Sequence, residues 1–186
     1  NNLLDLSKLE AGMMQLNLSR QDIGLLVREA IAESEGWAAA RQIHIELDMS
    51  LPDPWIILDP VRFGQVIRNL LSNAVKFSSA DACVRVLISA AHLPRGRRAS
   101  DLTDIPAVRV EVRDEGIGIP EEELELVFDK FVQSSKTKTG AGGTGLGLAI
   151  CREIVIAHRG TITACNNPGG GASLIVTLPQ ESGNNQ

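Results

Sequence analysis

Three short stretches of this chain carry polar or glycine residues at spacings that could do chemistry. In Arg62-Phe-Gly-Gln-Val-Ile-Arg-Asn-Leu-Leu-Ser-Asn-Ala-Val-Lys-Phe77, Asn69 and Asn73 stand four residues apart. On a helix that spacing puts both carboxamides on one face, with Gln65 one turn earlier and Lys76 one turn later. A carboxamide oxygen suits a magnesium ion that keeps several waters and also binds nucleotide phosphates. A lysine ammonium neutralises phosphate as a compact cation. A helix with a solvated polar face carries the same pattern. The second stretch, Asp114-Glu-Gly116-Ile-Gly118-Ile-Pro120, closes a strand. Its glycines let the backbone turn sharply and approach a ligand, and an aspartate at a strand end can accept from an exocyclic amine such as that of adenine. Ordinary tight turns also produce this motif. The third is Gly140-Ala-Gly-Gly143-Thr144-Gly145-Leu-Gly147-Leu-Ala-Ile150, glycine-rich backbone running into a helix start. Bare N–H groups and the positive helix end make a phosphate site there; a linker entering a helix reads the same way. No Lys-Ser or Lys-Thr follows these glycines, so the stretch is not a P-loop. It does not follow a first strand either, which argues against a dinucleotide-binding βαβ unit.

These stretches need elements to position them. Asp22 reads as the cap of a helix from Ile23 to Ala40, with Leu26, Val27, Ala30 and Ile31 at helical spacing. Ile43 to Leu47 and Trp55 to Leu58 read as strands. Asp59-Pro60, a capping acid with proline at the first helical position, opens the helix from Val61 to about Phe77, whose apolar stripe is Val66, Leu70, Ala74 and Phe77. Cys83 to Ala90 and Ala107 to Val112 read as paired strands joined by a loose polar loop, 91–106, with two prolines. Residues 114–143 carry little regular structure beyond a short helix after Pro120, the length of a functional lid. A helix is expected from Thr144 to His158, then strands Gly160 to Ala164 and Ser173 to Leu178. At the start, Leu3, Leu6, Leu9 and Met13 form an apolar stripe on a short helix ended near Gly12. It is too short to stand alone, and either continues a larger helical element or packs on its own domain. The element order predicts an α/β sandwich with a mixed sheet rather than a βαβ series.

Composition narrows the function. The chain has 186 residues, 44% hydrophobic and 22% charged, enough for one packed domain with a short appendage. A formal net charge of -5 is the wrong sign for gripping nucleic acid. The basic run Arg95-Gly-Arg97-Arg98 reads as a solvated loop tip. No apolar stretch approaches the ~20 residues that cross a bilayer, so no membrane contact is expected. Cys83, Cys151 and Cys165 form no CxxC pair, and His44, His92 and His158 are scattered, so a zinc site is not expected. The thiols read as reduced and structural, in a cytoplasmic compartment.

In their order and spacing the three stretches, with Phe128-Asp-Lys-Phe131 between the second and third, resemble the N, G1, F and G2 boxes of the histidine kinase catalytic domain, a branch of the superfamily shared with DNA gyrase, Hsp90 and the mismatch-repair ATPases. The matching residues are Gln65 to Phe77, Asp114 to Pro120, Phe128-Asp-Lys-Phe131 and Gly143-Thr-Gly145-Leu-Gly147-Leu148. The resemblance covers roughly residues 20–180. It implies the two-layer α/β sandwich of that superfamily (the Bergerat fold), with a mobile ATP lid, over a domain at 19–180. Residues 1–18 resemble the tail of the second helix of the family's dimerisation and phosphoacceptor domain plus a linker; 181–186 are expected to be a disordered tail.

The resemblance also implies roles. Asn73 would be the magnesium ligand, with Asn69 supporting metal and phosphates and Lys76 contacting phosphate; these three would be the catalytic set. Asp114 would select adenine, Phe77 would cover the base, and Gly116, Gly118 and Ile119 would form the pocket floor. The 120s and 130s would be the lid, pinned by Phe128 and Phe131. Gly143, Thr144, Gly145, Leu146, Gly147 and Leu148 would hold the triphosphate, and Ser173 would complete the nucleotide contacts. The family often has tyrosine where Phe77 stands, and the 91–106 insert exceeds its usual hairpin. No His-Glu-x-x-x-Pro phosphoacceptor motif is present, so the three histidines are expected to be structural or solvent-facing. In the superfamily's hydrolytic branch a glutamate one turn before the metal-binding asparagine activates water; here that position is Asn69, which cannot act as a base near neutral pH. Transfer to a histidine on a separate helical domain is therefore expected over hydrolysis, with ATP and Mg2+ as cofactors. A module that only docks partners is the remaining reading, and the intact Asn73, Asp114 and glycine set argues against it. The family parent is a homodimer that passes its phosphate to a response regulator; this chain, lacking most of the dimerising helices, is expected to be monomeric or weakly dimeric.

Overall fold

The computed structural model describes residues 15–94, 104–137 and 143–180. The expected helix bearing Leu3, Leu6, Leu9 and Met13, the run Arg95 to Arg98, Gly140 and the tail 181–186 lie outside the described residues.

Two helices begin where an aspartate precedes an apolar-periodic run. Helix α1 (Ile23–Ala39) is capped by Asp22, whose side chain accepts from the Leu25 N–H at 3.1 Å. Helix α2 (Pro60–Phe77) is capped by Asp59, which accepts from the Arg62 N–H at 3.0 Å, with Pro60 at the first position. The third helix, α3 (Gly147–Ala157), has no side-chain cap, because its cap residue is Leu146. It starts three residues later than the expected Thr144. Among the described residues no side chain takes its first N–H groups, which leaves them for another partner.

The strands are β1 (Ser19–Asp22), β2 (His44–Ser50), β3 (Trp55–Leu58), β4 (Cys83–Pro94), β5 (Asp104–Arg113), β6 (Thr161–Asn166) and β7 (Ala172–Pro179). Among the described residues, β2-β4-β5-β7-β6 form a five-stranded sheet, and β1 pairs β3 in a separate ribbon. The β2–β4 pair is parallel and the remaining pairs are antiparallel, so the sheet is mixed. Strand β1 escapes sequence reading because Ser-Arg-Gln-Asp has no alternation; its pairing with β3 makes it a strand. The described ends of the 91–106 insert, 91–94 and 104–106, are also strand rather than the loose loop expected. Pairing continues from Ala91↔Ala107 out to Pro94↔Asp104, since the hairpin arms satisfy each other's backbone beyond the end of β7.

One sheet face, with Val84, Val86, Val110, Val112 and Val176, packs against Val66, Leu70 and Leu71 of α2 and Ile150 and Ile154 of α3 in a single core. The alternate residues, including Arg85, Arg109 and Arg113, lie on the opposite face. Among the histidines, His44 and His92 are exposed and His158 is buried. The Asp59 N–H donates to His158 Nε2 at 3.0 Å, and Nδ1 lies 2.8 Å from the Ile154 carbonyl oxygen. A carbonyl can only accept, so Nδ1 carries the proton and His158 is structural.

Candidate functional site

Helix α2 presents its apolar stripe to the sheet and its polar stripe to the edge of the core. Asn69, Asn73, Lys76 and Phe77 are half-buried there, at one wall of a cavity of about 360 Å³. The other walls are Asp114, Ile117, Gly118 and Ile119 after β5, Gly143, Thr144, Gly145, Gly147 and Leu148 around the start of α3, and Ala172 and Leu174 of β7. Val127, Val132, Gln133 and Ser134 from the connecting segment close one side. Three stretches far apart in the sequence thus surround one space.

Asp114 is the anchor. Its Oδ1 accepts from the Gly116 N–H at 2.9 Å and the Ala172 N–H at 3.0 Å, and its own N–H donates to the Ala172 carbonyl at 2.9 Å. Among the described residues nothing donates to Oδ2, which leaves that oxygen for the cavity. Burial pushes the carboxyl above its ordinary value of 3.8, and the two backbone donors only partly oppose it. Gly116 does not line the cavity itself: a Cβ there would sit 2.4 Å from the Phe77 carbonyl oxygen, so the glycine lets the loop lie against the end of α2. Gly118, at φ +69°, makes the next turn.

Opposite Asp114, Asn69 donates through Nδ2 to the Gly147 carbonyl at 3.3 Å, tying α2 to the first turn of α3. Lys76 Nζ lies 5.2 Å from the Phe77 ring centroid and would sit 3.2 Å from a Cβ on Gly143. The cation therefore stands beside the glycine-rich backbone and over the aromatic ring together. Beneath Asn69, Cys151 is sealed in the core with its thiol pushed up to about 12 by burial, so it stays protonated and inert.

Of the expected site residues, four are placed off the cavity wall. Leu146 is buried as the cap residue of α3, and Gly116 supports from behind. Phe131 is 64% exposed, at φ +59°, with its N–H donating to the Gly145 carbonyl at 3.0 Å. Ser173 faces the opposite side of β7 from Ala172 and Leu174, because side chains alternate along a strand; its hydroxyl meets Glu111 and Asn167. Phe128 is buried in the core beside Val127.

Sequence reading missed the residues that hold the Asp114 turn from outside. Asn166, the last residue of β6, accepts from the Ile119 N–H at 2.8 Å and donates to the Ile119 carbonyl at 2.6 Å. Asn167 donates to the Asp114 carbonyl at 3.1 Å. The only signal in the sequence was Asn-Asn-Pro before three glycines, which announces a turn and nothing about which loop it clasps.

The family model described as histidine kinase-, DNA gyrase B-, and HSP90-like ATPase matches residues 58–182. The chain is 36% identical over 184 residues to the sensor protein KdpD of Escherichia coli (strain K12), covering 98% of this chain and 18% of that protein. The full-length structure of ShkA in complex with AMPPNP is similar with a TM-score of 0.78 and 30% identity, covering 98% of this chain and 35% of that one. The catalytic domain of the histidine kinase ThkA is similar with a TM-score of 0.72 and 28% identity, covering 89% of this chain and 97% of that domain. The chain thus spans a minor part of KdpD and ShkA and nearly the whole of the ThkA catalytic domain.

Proposed function

The chain belongs to the family of histidine kinase-, DNA gyrase B- and HSP90-like ATPases, and from that premise we propose that it is the catalytic domain of a two-component sensor histidine kinase. It binds Mg-ATP and transfers the γ-phosphate to a histidine on a separate dimerisation and phosphoacceptor domain. The observation that carries this reading is the acid content of the cavity. Among the described lining residues Asp114 is the sole carboxylate, and two backbone donors already commit one of its oxygens. Asn69 and Asn73 occupy the helix face where a water-activating base would have to stand, and a carboxamide cannot take a proton near neutral pH. Phosphoryl transfer then depends on positioning and on stabilising charge, and needs a nucleophile that attacks without first losing a proton. A neutral imidazole meets that requirement.

The residues divide the work. Asp114 Oδ2 accepts from the adenine amino group, while Phe77, Ile119, Leu174 and Leu148 enclose the base. Lys76 sets a positive charge against the phosphates, and the uncapped first turn of α3 directs its N–H groups at them. The donor set fits magnesium: among the described residues no cluster of His, Cys, Asp or Glu forms a protein-only cage, so Asn73, with Asn69 behind it, would hold the ion together with waters and phosphate oxygens. The ion would neutralise charge across the phosphates. The described residues of the 120s and 130s act as the lid. Residues 1–18 belong to the dimerisation and phosphoacceptor domain and its linker; the parent kinase is a homodimer, this part of it cytoplasmic, and its phosphate passes to an aspartate of a response regulator. No helix among the described residues is long and apolar enough to cross a membrane.

Incubating the chain with γ-labelled Mg-ATP and an added phosphoacceptor helical fragment tests the proposal, with Asp114→Asn as the control. Acid-labile, alkali-stable label on the fragment is expected, and only with the unaltered chain. Steady release of free phosphate by the chain alone would instead mean a hydrolase and overturn the argument from Asn69.

A further inference from the structure

Glu111 of β5 is buried although it lies on the sheet face away from the helices, where Leu87, Arg109, Arg113 and Ile175 beside it are half-buried. Its side chain is only 4% accessible because Arg109 and Arg113, two residues to either side, fold over it. Arg109 donates to Oε2 at 2.8 Å, and Arg113 donates to Oε1 through two nitrogens at 3.0 and 2.8 Å. A carboxylate this buried is costly unless its geometry is fixed by partners. Here the fixed geometry leads on. The fully buried hydroxyl of Ser173 lies 2.7 Å from both Glu111 Oε1 and Asn167 Oδ1, its one proton shared between them. The Asp114 carbonyl can only accept, so Asn167 must turn Nδ2 toward it (3.1 Å) and Oδ1 toward Ser173. The orientation of Asn167 therefore depends on Ser173, which is itself held by Glu111. The contact is tight: a Cβ on Gly171 would lie 2.1 Å from the Asp114 carbonyl oxygen, so this turn is drawn directly against the Asp114 main chain.

We propose that Glu111, Ser173 and Asn167 form a buried relay that positions Asp114 for base recognition, so that adenine selectivity is set partly from the outer face of the sheet. The proposal rests on reading the cavity as an ATP site. Asp114 can discriminate an amine from a carbonyl on the incoming base only if Oδ2 stays aimed. Its aim is fixed by Ala172 and Gly116 on the carboxylate and by Asn167 on the carbonyl. Releasing Asn167 frees the end of β5 to shift, and the loss falls on binding and selectivity rather than on the transfer step.

The experiment uses the full chain, measuring displacement of a fluorescent ATP analogue by ATP and by GTP, and the kcat and KM of transfer to a phosphoacceptor fragment. Ser173→Ala and Asn167→Ala avoid stranding the two arginines, as Glu111→Ala would. Each is expected to raise the ATP Kd and KM about tenfold and to shrink the ATP-over-GTP preference by a similar factor. Ser173→Thr, which keeps the hydroxyl, is expected to restore both. If both alanine variants keep the wild-type ATP-to-GTP ratio and KM, whatever happens to their melting temperature, the relay is structural only and the proposal fails. Should Asp114→Asn also bind ATP like the wild type, base recognition by Asp114 itself falls, a failure of the underlying reading that this control separates from failure of the relay.

Discussion

The two oxygens of Asp114 have different duties, and the difference makes a pH prediction. Oδ1 is held by backbone N–H groups, and Oδ2 must be an acceptor for an amine to bind. Because burial raises the Asp114 carboxyl above 3.8, it protonates earlier on acidification than an ordinary aspartate. Nucleotide affinity should therefore decline as pH falls while normal aspartates are still ionised, seen by fluorescence titration from pH 7 downward; a flat affinity down to the ordinary range would contradict it. The sign for folding is opposite. A raised carboxyl value means the ionised form is disfavoured in the folded state, so this group's contribution falls as pH rises through that window. Asp114→Asn keeps the Oδ1 acceptor and places an N–H2 donor where the adenine amine would arrive. It should abolish ATP binding at neutral pH while leaving the melting temperature of the free chain equal or higher. Glu111 runs the other way. Burial works against its charge, but Ser173, Arg113 and Arg109 outweigh that and hold it below 4.5, so its stabilisation is present above that pH and lost below.

At the scale of elements, the capping pattern separates helix starts that are closed by the chain from one that is open. Helices α1 and α2 carry aspartate caps, and α2 meets the cavity with side chains further along rather than with its first turn. Helix α3 begins at a buried leucine with its amides unclaimed by side chains, the arrangement a phosphate needs. What leads into α3 is equally constrained. Gly145 sits at φ +69°, and a Cβ on it would lie 2.8 Å from Phe131 Cα, backbone that cannot swing aside. Gly145→Ala should displace the lid from the first turn of α3 and weaken ATP binding by about tenfold or more. Circular dichroism should meanwhile show an intact helix content. An alanine variant that binds ATP normally would show that this close approach is dispensable. The helices and caps were legible in the sequence because aspartate, proline and apolar period act within a few residues. The wall of β7 was not: Ser173 and Ala172 differ by one position, and strand register alone decides which meets the cavity.

Across the whole molecule, the two edges of the core are locked by a contact spanning 99 residues, from the Asp59 N–H to His158 Nε2. The Asp59 carboxylate meanwhile caps α2 and accepts from the Asn17 N–H at 2.9 Å, so one junction holds the entry segment, α2 and the end of α3. Replacing His158 by Phe leaves a buried N–H unpaired and should cost about 1–3 kcal/mol in urea denaturation. His158→Gln, which can still accept, should recover part of that. Neither Asp59 nor His158 lines the cavity, so the change tests the frame and not the site.

By itself the sequence determined the candidate site residues and the kind of frame. The Asn69–Asn73–Lys76 spacing, Asp114 with its glycines, the glycine-rich entry to α3 and the capped helices are local patterns, and local patterns follow from backbone sterics and helical or strand period. Tertiary structure alone decided which residues meet across long separations. Ser72, Val127, Val132, Gln133, Ala172 and Leu174 joined the cavity wall, Ser173 turned away from it, β1 became a strand, and Asn166 and Asn167 clasped a turn some fifty residues distant. The physical reason is that such contacts depend on strand order, register and the packing of separate layers, and a residue's type and its neighbours in sequence carry no record of these.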